Sequence, residues 1–318
     1  MIMGVSDKKR VIVSLTSYPK RIGCVRRVLE TIYLQTMQPD KVVLWLAKEQ
    51  FPNGEQELPG ELYELVHSGK LEIRWCDDLK PHKKYFYAFQ EYPDDLVITI
   101  DDDVLYPSDM IETLYQSYLK HPDAVSAMRT HLMVYDRKMR FLPYKQWVRD
   151  YDECIGKASH QLFCTGCGGV LYPVHLFDRK VLDKRAIEEN CLMADDIWLK
   201  LMELMSNVPV VLCSAYSELQ MIDDSQEAAL YFSNETANDA YLKNSLRWFE
   251  QNGYDCLAPL RSISPDENLL TVSSILNGYM QRIDRMEKIP GSVDHSRSFK
   301  IVRFVTRPWR AVRRRLKE

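Results

Sequence analysis

The segment LVITIDDDVLYP, residues 96–107, decides how this chain is read. Residues 96–100 are a short apolar run rich in β-branched side chains, the pattern of a buried strand. Asp101, Asp102 and Asp103 follow where that strand should end. Three adjacent carboxylates repel one another and cost desolvation unless a cation sits among them. Hard divalent ions such as Mg²⁺ and Mn²⁺ prefer oxygen ligands, and Mg²⁺ is commonly held by one or two carboxylates plus substrate phosphates. A solvated acidic turn leading into the helix opened by Pro107, Ser108 and Asp109 is the alternative. The strand favours the functional reading, because ligands of open α/β sheets bind beyond the carboxyl ends of strands.

Working outward, strands and helices alternate through the first half. Residues 11–15, 42–46, 71–75 and 96–100 read as strands. Helices are expected at 22–32, where Ile22, Val25, Leu29 and Ile32 keep helical spacing, and at 58–67 and 82–92. Strands joined through helices pair in parallel, so the fold class is α/β: a Rossmann-type nucleotide-binding sheet with helices on both faces.

Between 124 and 170 the pattern is less regular and rich in aromatics, either core or the walls of an acceptor pocket. FCTGCGGVLYP, residues 163–173, brings three glycines together before an apolar strand. It lacks a Walker lysine and the full GxGxxG spacing, so a bulge at a strand entry competes with a ligand-approach role. ADDIWL, residues 194–199, opens a further helix with Asp195 and Asp196. Carboxylates there act as a helix cap or as a general base facing a pocket. In WCDDLKPHKK, residues 75–84, Lys83 and Lys84 fall in the first turn of a helix, where the dipole favours anions. That mismatch points to a phosphate, or to the nearby Asp77 and Asp78.

Composition limits the rest. The chain has 318 residues, 46% hydrophobic and 27% charged, an ordinary globular balance. Residues 297–318 carry a net +8, against −3 for the whole chain. An acidic body argues against a nucleic-acid-binding core, and a basic tail suits an anionic surface. The tail holds Phe304, Trp309 and other apolar residues among its arginines, as an interfacial amphipathic segment does; a solvated tail is the alternative. No secretory signal or spanning run is read, so the expected location is cytoplasmic, with the tail at the inner face of the cell membrane. Eight scattered cysteines read as reduced thiols. Cys164 and Cys167 form a CxxC which, with Cys154 and His160 nearby, leaves zinc as an alternative. Domain boundaries are expected at 1–260 for a catalytic domain, 261–296 for a helical extension and 297–318 for the tail. In the extension, Leu269, Val272, Leu276, Tyr279, Ile283 and Met286 alternate steps of three and four. Packing on the body is expected, with a homodimer seam as the alternative.

Four elements in order, SLTSYPKR at 14–21, the DDD at 101–103, GCGGVLYP at 166–173 and ADDIW at 194–198, resemble the inverting GT-A glycosyltransferases that use nucleotide sugars and build bacterial surface polysaccharides. The resemblance spans roughly residues 11–211. It implies a nucleotide-diphosphate donor, a UDP-sugar above all, and a saccharide or lipid-linked saccharide acceptor. It assigns Thr16, Tyr18 and Arg21 to the nucleotide, with Asp78, Lys84 and Asp102 beside it. Asp101 goes to the ribose or metal, Asp103 to Mn²⁺ or Mg²⁺, and Asp196, with Asp195 beside it, to the base. No histidine lies between His175 and His295, so the resemblance implies an ion held by carboxylate, diphosphate and water.

The chemistry suits these residue types. A departing diphosphate needs its charge stabilised, and an acceptor hydroxyl needs a carboxylate to take its proton. One base and a single displacement invert the anomeric centre; retention by covalent catalysis needs a nucleophile that the sequence does not nominate. A metal-dependent phosphoesterase and a non-catalytic polysaccharide-binding module are the other classes compatible with clustered carboxylates.

Overall fold

The computed structural model describes residues 9–215, 218–222 and 230–288. The chain falls into two compact units, 1–268 and 269–318. In chain order the first unit contains β1 (Val11–Thr16), α1 (Val25–Tyr33), β2 (Lys41–Ala47), α2 (Gly60–His67), β3 (Glu72–Cys76), α3 (Lys83–Glu91) and β4 (Leu96–Thr99). Next come β5 (Val104–Leu105), α4 (Met110–Lys120), β6 (Val125–Ala127), β7 (Thr130–Leu132), β8 (Ala158–Ser159), β9 (Leu162–Cys164) and β10 (Val170–Pro173). The unit ends with α5 (Lys184–Asn190), α6 (Asp195–Met205), β11 (Val210–Leu212), β12 (Gln220–Met221), α7 (Leu230–Gln251) and α8 (Ala258–Arg261).

The central sheet has eight strands in the order β3-β2-β1-β4-β10-β6-β11-β8. Its first four strands are mutually parallel. β1 is buried on both faces, as a strand covered by helices on both sides is. Val11, Val13 and Leu15 join one core with Val25, Val28, Leu29 and Ile32 of α1, Leu62 of α2 and Leu114 of α4. On the face of Ser14 lies α3, whose Lys84 carbonyl accepts from the Ser14 hydroxyl. The outer face of α1 carries the Arg26–Glu30 pair at 3.0 Å. The expected α/β sheet with helices on both faces is therefore present.

The second half of the sheet changes direction. β10, the apolar strand after the glycines, inserts antiparallel between β4 and β6, β11 runs parallel to β6, and β8 runs antiparallel to β11. Phe89 of α3 packs edge-on against Tyr172 of β10, closing the layer behind the sheet. α6 is buried along almost its whole length, and its Trp198 packs against Trp248 and Phe249 of α7. A buried helix that carries charge must pair it, and Lys200 and Glu203 do so at 3.0 Å.

The second unit contains α9 (Val272–Lys288). Val272 and Tyr279 of the sequence stripe are exposed, whereas Ser274 and Met280 are buried. Leu269 and Leu276 of the stripe are half-buried, and the side chains of Ile283 and Met286 lie outside the described residues. The basic tail lies outside the described residues. No helix among the described residues is long and apolar enough to cross a membrane.

Candidate active site

β1 and β4 run parallel, so their carboxyl ends meet at one edge of the sheet, with the turn Ser17–Arg21 on one side and Asp101–Asp103 on the other. A cavity of about 530 Å³ opens there. Thr16, Tyr18, Arg21, Lys84, Asp101, Asp102, Asp103, Asp195 and Asp196 all line it. Nine residues singled out in the sequence therefore converge on one space, drawn from four separate segments. Asp78 stands behind the rim, where it pairs with Lys83 at 2.9 Å and with Lys80, both of which line the cavity. Lys80 adopts φ +53, uncommon for a side chain with a Cβ, which lets its backbone N–H reach Asp78 Oδ1 at 3.0 Å.

The acidic turn is built around Arg21. Its guanidinium donates to Asp102 at 3.0 Å and also to Asp103. Asp102 further accepts from the Ser17 hydroxyl at 2.5 Å. Both carboxylates are almost fully buried. Burial raises Asp102 to about 6, against the pull of Arg21 and Ser17. Burial, with the neighbouring charge of Asp101, raises Asp103 to about 7.

Lys84 bridges the two acidic segments. Its Nζ lies 2.7 Å from Asp101 Oδ1 and 3.0 Å from Asp195 Oδ2. Asp195 Oδ2 has that ion pair but no hydrogen bond of good geometry. Burial works against the charge on Lys84, but Asp101, Asp195 and Asp196 outweigh it and hold the ammonium well above its ordinary range. Burial works against Asp195 too, and Lys84 and His82 overcome it, keeping that carboxylate below its ordinary range. His82 Nε2–H donates to the Cys191 carbonyl at 2.8 Å and ties α3 to the segment preceding α6.

Asp195 and Asp196 stand in the first turn of α6, but their side chains turn toward the cavity instead of capping the helix. Asp196 Oδ1 accepts the backbone N–H of Gly166 at 3.0 Å. Enclosure and the adjacent Asp195 charge raise Asp196 to about 8. Glycine is required at that contact: a Cβ on Gly166 would lie 2.8 Å from Lys84 Nζ and 3.1 Å from Asp196 Oδ1. Gly168 makes room in the same way for Arg129, whose Cβ would be 2.6 Å from an added methyl. Gly166 and Gly168 thus serve close packing around the site.

Several cavity residues escaped sequence reasoning: Ser17, Gln50, Arg129, Met193 and Asn238; Tyr144 is one of the aromatics read as core or pocket wall, and Cys167 was singled out only for its CxxC. Arg129 is fixed by Asp150 at 2.7 Å and Thr165 at 3.0 Å. The glycine cluster was the signal that a bulky side chain crosses at 129; nothing local marks Asn238.

Five carboxylates, Asp101–Asp103, Asp195 and Asp196, thus share one enclosed space with Arg21 and Lys84. Asp102, Asp103 and Asp196 are held above the ordinary carboxylate range, and crowded carboxylates of this kind are the donor set of a site that gains from a further hard cation. Among the described residues, no group of three or more His, Cys, Asp or Glu side chains is arranged to hold a metal unaided. The arrangement fits an ion that completes its shell with oxygens of a ligand. All eight cysteines are free thiols.

No family model matches the sequence, and no curated protein matches it. Solved structures resemble it in shape. S. aureus TarS 1–349, in complex with UDP, is 14% identical, with 87% of this chain and 82% of that chain covered and a TM-score of 0.42. The mannosyltransferase PcManGT from Pyrobaculum calidifontis, in complex with GDP-Man and Mn²⁺, is 12% identical, with 96% and 83% covered and a TM-score of 0.49. A 4-diphosphocytidyl-2C-methyl-D-erythritol synthase is 13% identical, with 72% and 98% covered and a TM-score of 0.39.

Proposed function

We propose that the protein is a metal-dependent inverting glycosyltransferase that moves a sugar from a nucleotide-diphosphate donor, a UDP-sugar first, to a saccharide or lipid-linked saccharide acceptor in surface polysaccharide synthesis. One observation carries the reading. Asp103, in the turn after β4, and Asp196, at the start of α6, line the same cavity, and Lys84 pairs with their neighbours Asp101 and Asp195.

Thr16, Tyr18 and Arg21 line the side on which the nucleotide enters, and Lys80 and Lys83, backed by Asp78, supply positive charge at the rim. Asp103, with Asp101, would hold Mn²⁺ or Mg²⁺. When bound, that ion supplies charge stabilisation to the leaving diphosphate. Asp196 takes the proton of the attacking hydroxyl. The Gly166 N–H, bonded to Oδ1, orients the carboxylate and leaves Oδ2 for the acceptor hydroxyl. Lys84 holds the two ends of the reaction in register by binding Asp101 and Asp195 together.

A calorimetric screen of UDP-, GDP-, CMP- and dTDP-linked sugars with and without Mn²⁺ tests the reading. Metal-dependent binding of one class, followed by slow donor hydrolysis without acceptor, is expected. Equal nucleotide affinity with and without Mn²⁺ would overturn it.

The basic tail supports a peripheral position on an anionic leaflet, each Lys or Arg there contributing about 1 kcal/mol. Truncation at residue 297 should release the protein from anionic vesicles in low-salt sedimentation. Undiminished sedimentation would leave the tail without that role.

A further inference from the structure

The first unit has a second, larger cavity, a groove of about 1010 Å³ between residues 139–143 and α7. Consecutive residues of two segments divide between it and the reactive cavity. In the loop, Tyr144 lines the reactive cavity and Pro143 the groove. On α7, Asn238 lines the reactive cavity and Asp239 the groove. The two segments are joined where the Tyr144 backbone N–H donates to Asp239 Oδ1 at 2.6 Å.

Asn238 adds an independent sign of a ligand. Its side chain is 8% exposed, and its Oδ1 has no hydrogen-bond partner among the described residues. A buried carbonyl oxygen without a donor is costly, and a hydroxyl entering the cavity would satisfy it. The groove beyond offers two partly exposed rings, Phe141 and Tyr254. Lys243, Arg247 and Glu250 stand exposed one turn apart on α7. Cations and anions in the groove balance: Arg140, Lys243 and Arg247 against Asp239, Glu250 and Asp255. Rings stack on the C–H faces of pyranoses, while carboxylates and guanidinium groups take paired hydroxyls. A groove without net charge does not select an anionic chain.

We infer that the acceptor is an extended, uncharged saccharide. Its terminal unit lies against Asn238 beside Asp196, and its preceding units occupy the groove along α7. This rests on the transferase reading and names the acceptor class for that site.

The test measures transfer from the donor chosen by calorimetry to neutral oligosaccharides of one to six units, and to uronic-acid chains of the same lengths. The KM should fall by about tenfold from one to four units, the equivalent of about 1.4 kcal/mol, with kcat changing by less than about threefold. Arg247→Ala and Phe141→Ala should raise the KM for the tetrasaccharide toward that for the disaccharide, whereas Asn238→Ala should raise the KM at every length. Arg247 is exposed, so its variant folds, which circular dichroism verifies. A KM independent of length, a length effect that survives Arg247→Ala, or preference for uronic-acid chains would overturn the inference. So would refusal of every oligosaccharide while donor hydrolysis persists, a result that leaves the transferase reading standing. Absence of donor hydrolysis as well would sink both.

Discussion

The backbone N–H of Gly166 donates to Asp196 Oδ1 at 3.0 Å, so a peptide group of the glycine turn orients the carboxylate assigned as the base. The contact exists only because residue 166 has no side chain; a Cβ there would meet both Asp196 and Lys84. Gly166→Ala should therefore fold, since the end of the lysine can swing aside, yet lose most transfer activity. Gly168→Ala meets the Cβ and backbone of Arg129, which cannot swing aside, and should lower stability by about 1–3 kcal/mol. Thermal melts and initial rates of the two variants check the contrast, and equal melting temperatures would refute it.

Asp196→Asn keeps size and removes proton acceptance. Nucleotide binding should persist while transfer falls by about 10²–10⁴-fold. Asp195→Asn should act differently, because Asp195 pairs with Lys84. If Asp195→Asn retains nucleotide binding and loses transfer while Asp196→Asn stays active, the two roles are reversed.

A pH effect follows from the raised carboxylate of Asp196. In the folded protein it holds its proton to about 8, whereas in the unfolded chain it releases it in the ordinary carboxylate range. Between those limits the folded state binds more protons, so this group's contribution to stability falls as pH rises. Asp196→Asn removes that penalty. With chelator present, the variant's melting temperature should exceed that of the native protein by a margin that grows from pH 5 to about pH 8. A constant margin would contradict the raised proton affinity.

Asp103→Ala should separate nucleotide binding from Mn²⁺. Titration of UDP with and without the ion should show a large metal effect in the native protein and little in the variant. Persistence of the full metal effect would remove Asp103 from the metal site.

Lys84→Met leaves Asp101 and Asp195 without their shared cation. Removing one member of a buried ionic group costs about 3–5 kcal/mol, because the remaining charge stays buried. Denaturant unfolding measures this, and a loss below about 1 kcal/mol would mean that the cluster is solvated.

Most of the acidic side of the cavity could be read from the sequence because its signals are local. A β-branched run ending in Asp101–Asp103 marks a strand end, and lysines at a helix start mark a nearby anion. Lys83 and Lys84 do answer anions, namely Asp78, Asp101 and Asp195. The direction of β10 was not legible, because four apolar residues have no polarity and their partners are set by tertiary packing. Arg129 and Asn238 were missed for a related reason. They stand in segments without periodic signal, or on a helix face, and reach the cavity only when β6, the 139–147 loop and α7 pack together. The apolar stripe of the extension does fall on a helix, α9.

Lys84 has a consequence for engineering. It grows from a helix of the parallel half of the sheet, and one of its partners, Asp195, belongs to the other half. A chimera that grafts a foreign 121–212 segment onto this parallel half inherits the lysine whatever the graft brings. Unless the graft carries an acid facing that Nζ at the start of its helix, the hybrid would bury a half-answered cation at its own seam. The two halves are exchangeable only as a matched pair.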